Sequence, residues 1–286
     1  MNWIIGIGVG ILIGYLLDRE IYFYEGVHLG PRVQAWLYDR WSKKYDDGKR
    51  ESQLRDTEML ARPLLDLLKD VPEPFVLDFA TGTGRLSYAL LSQPEFKGHI
   101  IALDLSQGML ERAITKISGL DTSEKNTRST RPPDQVEFLR HVALPLPFPD
   151  STFDVVGCLE VLELFPNMDE PLAELTRVLR PGGILLSTRG TEESGRKAKV
   201  KSKADYGKLL KKYNVADFQI TPWWKLFDRV IAVKNGTSLP VGAKKLSAVM
   251  RCGACKQTQW KHEAGALKCQ NCGKELSITK EGIVLG

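Results

Sequence analysis

One apolar stretch runs into a turn of small residues, a combination that is typical of a ligand site. Residues 76–85 read VLDFATGTGR, with Asp78 near the end of a predicted strand and Gly82 and Gly84 in the turn. Glycine allows a tight turn and close approach of the backbone to a ligand. The helix that follows offers free N–H groups to a carboxylate. Because ligands bind at the carboxyl ends of strands in open α/β sheets, the segment predicts a binding site there.

Two acidic residues narrow the class of ligand. A glycine-rich turn alone would also serve a dinucleotide. Asp78 argues against a pyrophosphate, because like charges repel, whereas its carboxylate would stabilise the ammonium group of an amino acid. Asp104 stands 20 residues after Gly84, at the end of the second predicted strand, where it can accept hydrogen bonds from both hydroxyls of a ribose. The pattern therefore favours a ligand with an amino-acid portion and a ribose.

The cysteines indicate a second kind of site. Four of the five form two Cys-x-x-Cys pairs separated by 13 residues, and such pairs can present four thiolates tetrahedrally to a structural zinc ion. Cys158 lies in an apolar run and fits a small buried residue. We therefore predict a zinc ribbon whose fold depends on the metal. Its predicted ligands are Cys252, Cys255, Cys269 and Cys272.

The sequence leaves the role of this ribbon open. Zinc ribbons often contact protein or nucleic acid, and several basic residues give this one a mildly basic surface. Trp260 is the one aromatic side chain after residue 250, which argues against a platform for single-stranded nucleic acid. Contact with protein and simple stabilisation are the favoured roles.

The length and composition of the chain limit the possible folds. The chain has 286 residues, is 43% hydrophobic and carries a formal net charge of +5. It is long enough for one α/β domain and a smaller module, and a mostly disordered chain is excluded. The small positive excess permits contact with an anionic surface but does not require nucleic acid.

The order of apolar runs predicts a doubly wound parallel sheet. Strand-like and helix-like runs alternate from about residue 53. The predicted strands are Phe75–Phe79, His99–Asp104, Val136–Leu139, Phe153–Leu159, Ile184–Thr188, a sixth that ends before Trp223 and Trp224, and a seventh over Arg229–Val233. The predicted apolar helix faces include Leu60, Leu64, Leu67 and Leu68, and Met109, Leu110, Ala113, Ile114 and Ile117.

The N-terminal 24 residues predict a membrane anchor. Residues 3–17 carry no charge and would span about 22 Å as a helix, and the absence of flanking processing signals disfavours a cleaved signal peptide. Gly6, Gly10 and Gly14 repeat every four residues, a spacing that lets two membrane helices pair. Basic residues after the run predict that the following domain is cytoplasmic. A buried N-terminal helix is the alternative.

Four blocks of the sequence resemble the class I S-adenosylmethionine-dependent methyltransferases, and among them the group that includes ubiquinone/menaquinone C-methyltransferases. The blocks are VLDFATGTGR (76–85), IALDLSQGML (101–110), LPFPDSTFDVV (146–156) and LAELTRVLRPGGILL (172–186). The resemblance covers roughly residues 38–234. It implies a Rossmann-like, seven-stranded α/β domain with S-adenosylmethionine as cofactor, and it does not identify the methyl acceptor.

The resemblance assigns roles to particular residues. It implies that Asp78 and the turn from Ala80 to Gly84 hold the methionine portion, and that Asp104 holds the ribose. Ala80 replaces the first glycine of many relatives. Val142 replaces an acid that accepts a hydrogen bond from the adenine amino group, so that a backbone carbonyl must make this contact or the affinity is lower. The candidate cofactor-binding residues are Asp78, Ala80, Thr81, Gly82, Gly84, Asp104, Leu105, Val142 and Ala143.

Residues 158–165, CLEVLELF, correspond to the segment that faces the transferred methyl group in relatives. Glu160 and Glu163 are candidates for a general base or for orienting the acceptor. Methyl transfer is an in-line displacement, in which alignment of the reactants can supply most of the catalysis. The tyrosine–aspartate pairs at 38–39 and 45–46 resemble elements that cover the cofactor in relatives.

These expectations describe a chain of four parts. They are a membrane anchor over residues 1–24, a cofactor-covering segment over 25–52, a methyltransferase domain over 53–236, and a linker with a zinc ribbon over 237–286. The favoured function is methyl transfer to a small, lipophilic acceptor, such as a quinone or lipid precursor, at a membrane surface. Two alternatives stay open: a methyltransferase for RNA or protein recruited through the ribbon, and a non-catalytic scaffold that binds the cofactor.

Overall fold

The structure is a computed structural model, and it describes residues 2–120, 133–142, 144–194 and 200–286. Its strands are β1 Phe75–Phe79, β2 His99–Asp104, β3 Val136–Arg140, β4 Phe153–Cys158, β5 Leu179–Gly190, β6 Val215–Trp224, β7 Phe227–Lys234, β8 Trp260–Glu263, β9 Ala266–Cys269, β10 Glu275–Ser277 and β11 Ile283–Leu285. Its α-helices are α1 Asn2–Asp18, α2 Pro31–Tyr45, α3 Arg50–Gln53, α4 Arg62–Leu67, α5 Arg85–Leu91, α6 Gln107–Ser118, α7 Asp169–Val178, α8 Lys203–Lys212 and α9 Leu246–Val249.

Eight strands form the main sheet, in the order β11-β3-β2-β1-β4-β5-β7-β6. β7 pairs antiparallel with β5 and β6, and the remaining pairs are parallel. The predicted Rossmann-like sheet is thus confirmed, and β1 and β2 have their predicted bounds. Both strands are buried along their whole length, as expected for strands covered on both faces. The sheet has one strand more than predicted, because β11 from the C-terminal segment pairs with β3.

Helical periodicity predicts most of the buried faces. All five apolar residues predicted on α6 are buried. Leu60, Leu64 and Leu68 are buried as well, but Leu67 is half exposed. Leu64 and Leu68, four residues apart, share one face of the helix, whereas Leu67 lies about 100° around the helix from Leu68.

The predicted membrane anchor is wrong. α1 has 17 residues, which is about 26 Å of helix and shorter than the roughly 30 Å hydrocarbon core of a bilayer. Within the described residues, no helix has both the length and the apolar character needed to cross a membrane. The predicted single-pass topology and cytoplasmic orientation rest on that anchor and fall with it. Pairing of anchor helices through Gly6, Gly10 and Gly14 has no support for the same reason.

The C-terminal segment forms a small sheet and then returns to the main sheet. β8, β9 and β10 form an antiparallel three-stranded sheet, and β11 follows beside β3. Asp154 anchors the linker by accepting hydrogen bonds from the N–H groups of Val241 and Gly242 at 2.9 and 3.2 Å. The N–H of Arg251 donates to the carbonyl of Pro147 at 2.7 Å. The small sheet is therefore fastened to the main domain at several points.

Candidate active site

The turn after β1 is held by Asp78. Its Oδ2 accepts hydrogen bonds from the hydroxyl of Thr81 at 2.6 Å and from the N–H and hydroxyl of Ser87 at 3.1 and 2.6 Å. Burial raises the pKa of Asp78, and the hydrogen bonds from Ser87 and Thr81 partly offset this rise. These contacts fix the turn and the start of α5, while the contact of Asp78 with the cofactor stays a prediction.

Three residues of this turn adopt left-handed backbone conformations. The φ angles are 51° at Ala80, 56° at Gly82 and 77° at Gly84, so Ala80 carries its methyl group in a backbone conformation that favours glycine. A Cβ on Gly84 would lie 2.9 Å from the Cβ of Ala113 in α6. Gly84 therefore lets α5 and α6 pack closely.

Asp104 ends β2 beside the same turn. Its Oδ2 accepts a hydrogen bond from the N–H of Gly82 and its Oδ1 from the N–H of Ser106, both at 2.8 Å. Burial raises the pKa of Asp104 to about 6, although the backbone N–H groups act in the opposite direction. Each carboxylate oxygen has a further lone pair. The two oxygens can therefore still accept hydrogen bonds from a vicinal diol such as ribose.

α2 crosses the carboxyl ends of the strands and is held there by aspartates. Oδ1 of Asp39 accepts hydrogen bonds from the hydroxyl of Ser106 at 2.6 Å and the N–H of Gly108 at 2.9 Å. Oδ1 of Asp46, just after α2, accepts one from the hydroxyl of Thr83 at 2.6 Å. The tyrosines that precede these aspartates, at positions 38 and 45, line the cavity between α2 and the sheet. In each pair, the aspartate holds α2 against the strand ends, and the tyrosine lines the cavity.

Three cavities with shared walls lie under α2. Of the predicted cofactor-binding residues, the walls include Asp78, Ala80, Thr81, Gly82, Asp104, Leu105 and Val142. Gly84 is not among the wall residues and packs against α6 instead. Ala143 lies outside the described residues. Seven of the nine predicted residues therefore lie on cavity walls, and their contact with the cofactor stays a prediction.

Glu160 lies on the walls of these cavities and forms ion pairs with two basic side chains. Nη1 of Arg85 donates to its Oε1 at 2.8 Å, and Nζ of Lys49 pairs with its Oε2. Its backbone has a φ of 59°, and its N–H donates to the hydroxyl of Thr188 at 2.6 Å. Arg85 also forms an ion pair with Asp56. Because both Glu160 oxygens are occupied by cations, this side chain is better suited to orienting a ligand than to accepting its proton.

Glu163 lines a cavity together with Glu160 but has different hydrogen-bond partners. The residue is 3% exposed, and its Oε1 accepts a hydrogen bond from the N–H of Gly190 at 2.6 Å. Its Oε2 is buried and has no hydrogen-bond partner within the described parts of the chain. Burial raises the pKa of Glu163 above its ordinary value. A buried carboxyl with a raised pKa beside a cavity has the properties of a proton-exchanging group.

Lys49 and Arg85 belong to the site although the sequence does not predict them there. Arg85 follows Gly84 directly, so its position after a glycine turn was the available signal. Lys49 lies in a charged stretch without periodicity, and nothing in its neighbours indicates a pairing with a residue 111 positions away. Their contact with Glu160 depends on how α2, α3 and α5 meet.

The four cysteines of the two Cys-x-x-Cys pairs come together. Their sulfurs all lie within 4.8 Å of one another, with 3.6 Å between Cys252 and Cys272 and 3.5 Å between Cys255 and Cys269. The two turns share a backbone pattern, since the N–H groups of Cys252 and Cys269 each donate at 2.8 Å to a carbonyl five residues later. Such a set of four thiols suits a soft metal ion.

Known proteins resemble this chain in sequence. A methyltransferase domain family matches residues 77–187. The demethylmenaquinone methyltransferase of Lactobacillus johnsonii is 31% identical over 147 residues, which are 51% of this chain and 56% of that protein. The ubiquinone/menaquinone biosynthesis C-methyltransferase UbiE of Roseobacter denitrificans is 31% identical over 162 residues, or 57% of this chain and 60% of that protein. The chain thus matches a little over half the length of these relatives.

Solved structures resemble it in fold. An S-adenosylmethionine-dependent methyltransferase from Aquifex aeolicus aligns with a TM-score of 0.51 at 23% identity, covering 68% of this chain and 97% of that one. A structure from Methanococcus maripaludis aligns with a TM-score of 0.53 at 16% identity, covering 70% and 95%. At these identities the likeness shows the fold alone. Residues 77–187 thus match a methyltransferase domain family, and the described part of the chain has the fold of these solved structures.

Proposed function

We propose that this protein transfers a methyl group from S-adenosylmethionine to a small, lipophilic, quinone-like acceptor that carries a hydroxyl group. The observation that carries the proposal is that Asp104 and the glycine turn lie beside cavities whose walls also include Glu163, a buried carboxyl with one unpartnered oxygen. The names of two relatives, a demethylmenaquinone methyltransferase and a ubiquinone/menaquinone biosynthesis C-methyltransferase, support a quinone-type acceptor.

The residues present fit the cofactor. Asp104 would hold both ribose hydroxyls through its remaining lone pairs. The N–H groups at the start of α5, together with the nearby Arg85, would hold the carboxylate of the methionine portion. Ala80 and Gly82 bring the backbone close to the same portion. Once bound, the cofactor supplies a methyl group from its sulfonium and is left as S-adenosylhomocysteine.

The cavity beside Glu163 suits a planar acceptor. Tyr38, Tyr45 and Phe227 line it, and aromatic side chains favour contact with a flat apolar ring. In our proposal Glu163 takes the proton that the acceptor hydroxyl loses during transfer and later releases it to solvent. Glu160, held by its two cations, orients the acceptor.

We also propose that the four cysteines hold a structural zinc ion. A tetrahedral site with Zn–S bonds of about 2.3 Å has sulfur–sulfur edges of about 3.8 Å, close to the 3.5 and 3.6 Å separations of the two cross pairs. Trp260 is 8% exposed, and its Nε1 donates to the carbonyl of Met250 at 2.6 Å. This tryptophan is therefore used to pack the ribbon, which supports a stabilising role over stacking with nucleic acid.

The test of this function is transfer of labelled methyl from S-adenosylmethionine to three separate pools: prenylated hydroquinones, RNA and protein. We expect label in the hydroquinone pool, its loss with Asp104→Ala, and its retention with Asp134→Ala, which removes an exposed aspartate away from the cavities. Label in RNA or protein alone would support recruitment through the ribbon. Cofactor binding without transfer to any pool would support the scaffold hypothesis.

A further inference from the structure

Gln34 lies on the face of α2 that borders the cavity lined by Asp104. It lines this cavity with Tyr38 from the same helix and with Leu105 and Val142 from the sheet side. The residue is partly buried. Among the described residues, its side-chain amide has no hydrogen-bond partner. The wall therefore presents an amide that the fold itself does not use.

The two aspartate contacts of α2 show which part of the cavity this amide reaches. Asp46 is bonded to Thr83 after β1, and Asp39 to Ser106 after β2, so α2 runs across successive strand ends. Gln34 precedes Asp39 on the same helix and so lies farther from the end of β1. It lines the cavity together with Leu105, which follows β2, and Val142, which follows β3.

In the binding mode that we propose, the ribose lies at Asp104 and the adenine lies beside Leu105 and Val142, which line the same cavity. Neither of these two side chains can accept a hydrogen bond from the adenine amino group. A glutamine amide offers one acceptor and two donors, and it can pair with the amino group and a ring nitrogen of adenine together. We propose that Gln34 recognises the exocyclic amino group of the cofactor's adenine. This inference rests on the proposed function, because it presumes that the cavity binds S-adenosylmethionine.

The test compares two ligands by calorimetric titration of the full chain. One is S-adenosylhomocysteine, and the other is its analogue with hydrogen in place of the 6-amino group. We expect the wild type to bind the amino compound about three- to tenfold more tightly, the range for one neutral hydrogen bond. In Gln34→Leu this preference disappears, because leucine cannot accept a hydrogen bond from the amino group. The matched control, Gln219→Leu on an exposed position of β6, keeps the preference.

Two outcomes would overturn the inference while leaving the proposed function intact. In one, Gln34→Leu keeps the wild-type preference. In the other, it weakens both ligands equally, as expected if the substitution only loosens α2. If the wild type binds neither ligand, the proposed function itself fails.

Discussion

The Oδ2 atom of Asp104 accepts a hydrogen bond from the N–H of Gly82 at 2.8 Å. This contact joins the end of β2 to the turn after β1, and it orients the carboxylate that we assign to the ribose. The two sites that the sequence suggests for the methionine portion and for the ribose are therefore coupled through one hydrogen bond.

Cofactor binding should weaken in mild acid. Burial raises the pKa of Asp104 to about 6, and the ribose hydroxyls donate best to the ionised carboxylate. We expect the affinity for S-adenosylhomocysteine to fall as the pH drops through about 6, approaching tenfold per unit below it. Titrations between pH 5 and pH 8 measure this change. Asp104→Asn should bind more weakly and without this dependence, and a wild-type affinity that is flat over the range contradicts the assignment.

In the turn after β1, substitution by alanine should destabilise the protein more at Gly84 than at Gly82. Both have positive φ angles, so either substitution adds backbone strain of about 1–2 kcal/mol. The added Cβ meets nothing within 4 Å at Gly82 but lies 2.9 Å from the Cβ of Ala113 at Gly84. We therefore expect Gly84→Ala to lower the free energy of unfolding by about 1–3 kcal/mol more than Gly82→Ala. Chemical denaturation of the two variants checks this, and equal losses would show that the contact with α6 is unimportant.

Removal of the Glu163 carboxyl should reduce turnover without weakening cofactor binding. Glu163→Gln keeps an oxygen for the N–H of Gly190 but cannot take a proton, so we expect kcat to fall by about 10²-fold or more. Because burial raises the pKa of Glu163, the wild-type rate should rise with pH through that raised pKa, and the variant should lose this limb. Glu170→Gln, on an exposed position in the first turn of α7, serves as the control. A kcat close to that of the wild type would leave Glu163 without a role in proton transfer.

Zinc should be bound stoichiometrically by the C-terminal module. We expect one zinc per chain by elemental analysis and its loss in Cys272→Ser, whereas Cys158→Ala retains it, because Cys158 lies on β4. Chelation should lower the thermal midpoint, since structural zinc commonly contributes on the order of 10 kcal/mol to such modules. Full stability of a zinc-free chain would show that the cysteines are not a metal site.

The sequence predicts the sheet well because its evidence is local. β1 and β2 are continuous apolar runs bounded by turn residues, and their carboxyl ends alone place Asp78 and Asp104 at one edge. Three other features depend instead on contacts between residues far apart in the sequence. They are the ion pairs of Glu160, the pairing of β11 with the main sheet, and the hydrogen bonds that Asp39 and Asp46 accept. The anchor prediction failed because apolar character was given more weight than helix length.

The most direct test of the central claim is calorimetric titration of S-adenosylhomocysteine into the full chain and into Asp104→Ala and Asp134→Ala. We predict saturable 1:1 binding by the wild type and by Asp134→Ala, and its loss in Asp104→Ala, since Asp104, unlike Asp134, lines the cavity that we assign to the cofactor. Absence of binding to the wild type, or unchanged binding by Asp104→Ala, would contradict the assignment of this cavity to the cofactor.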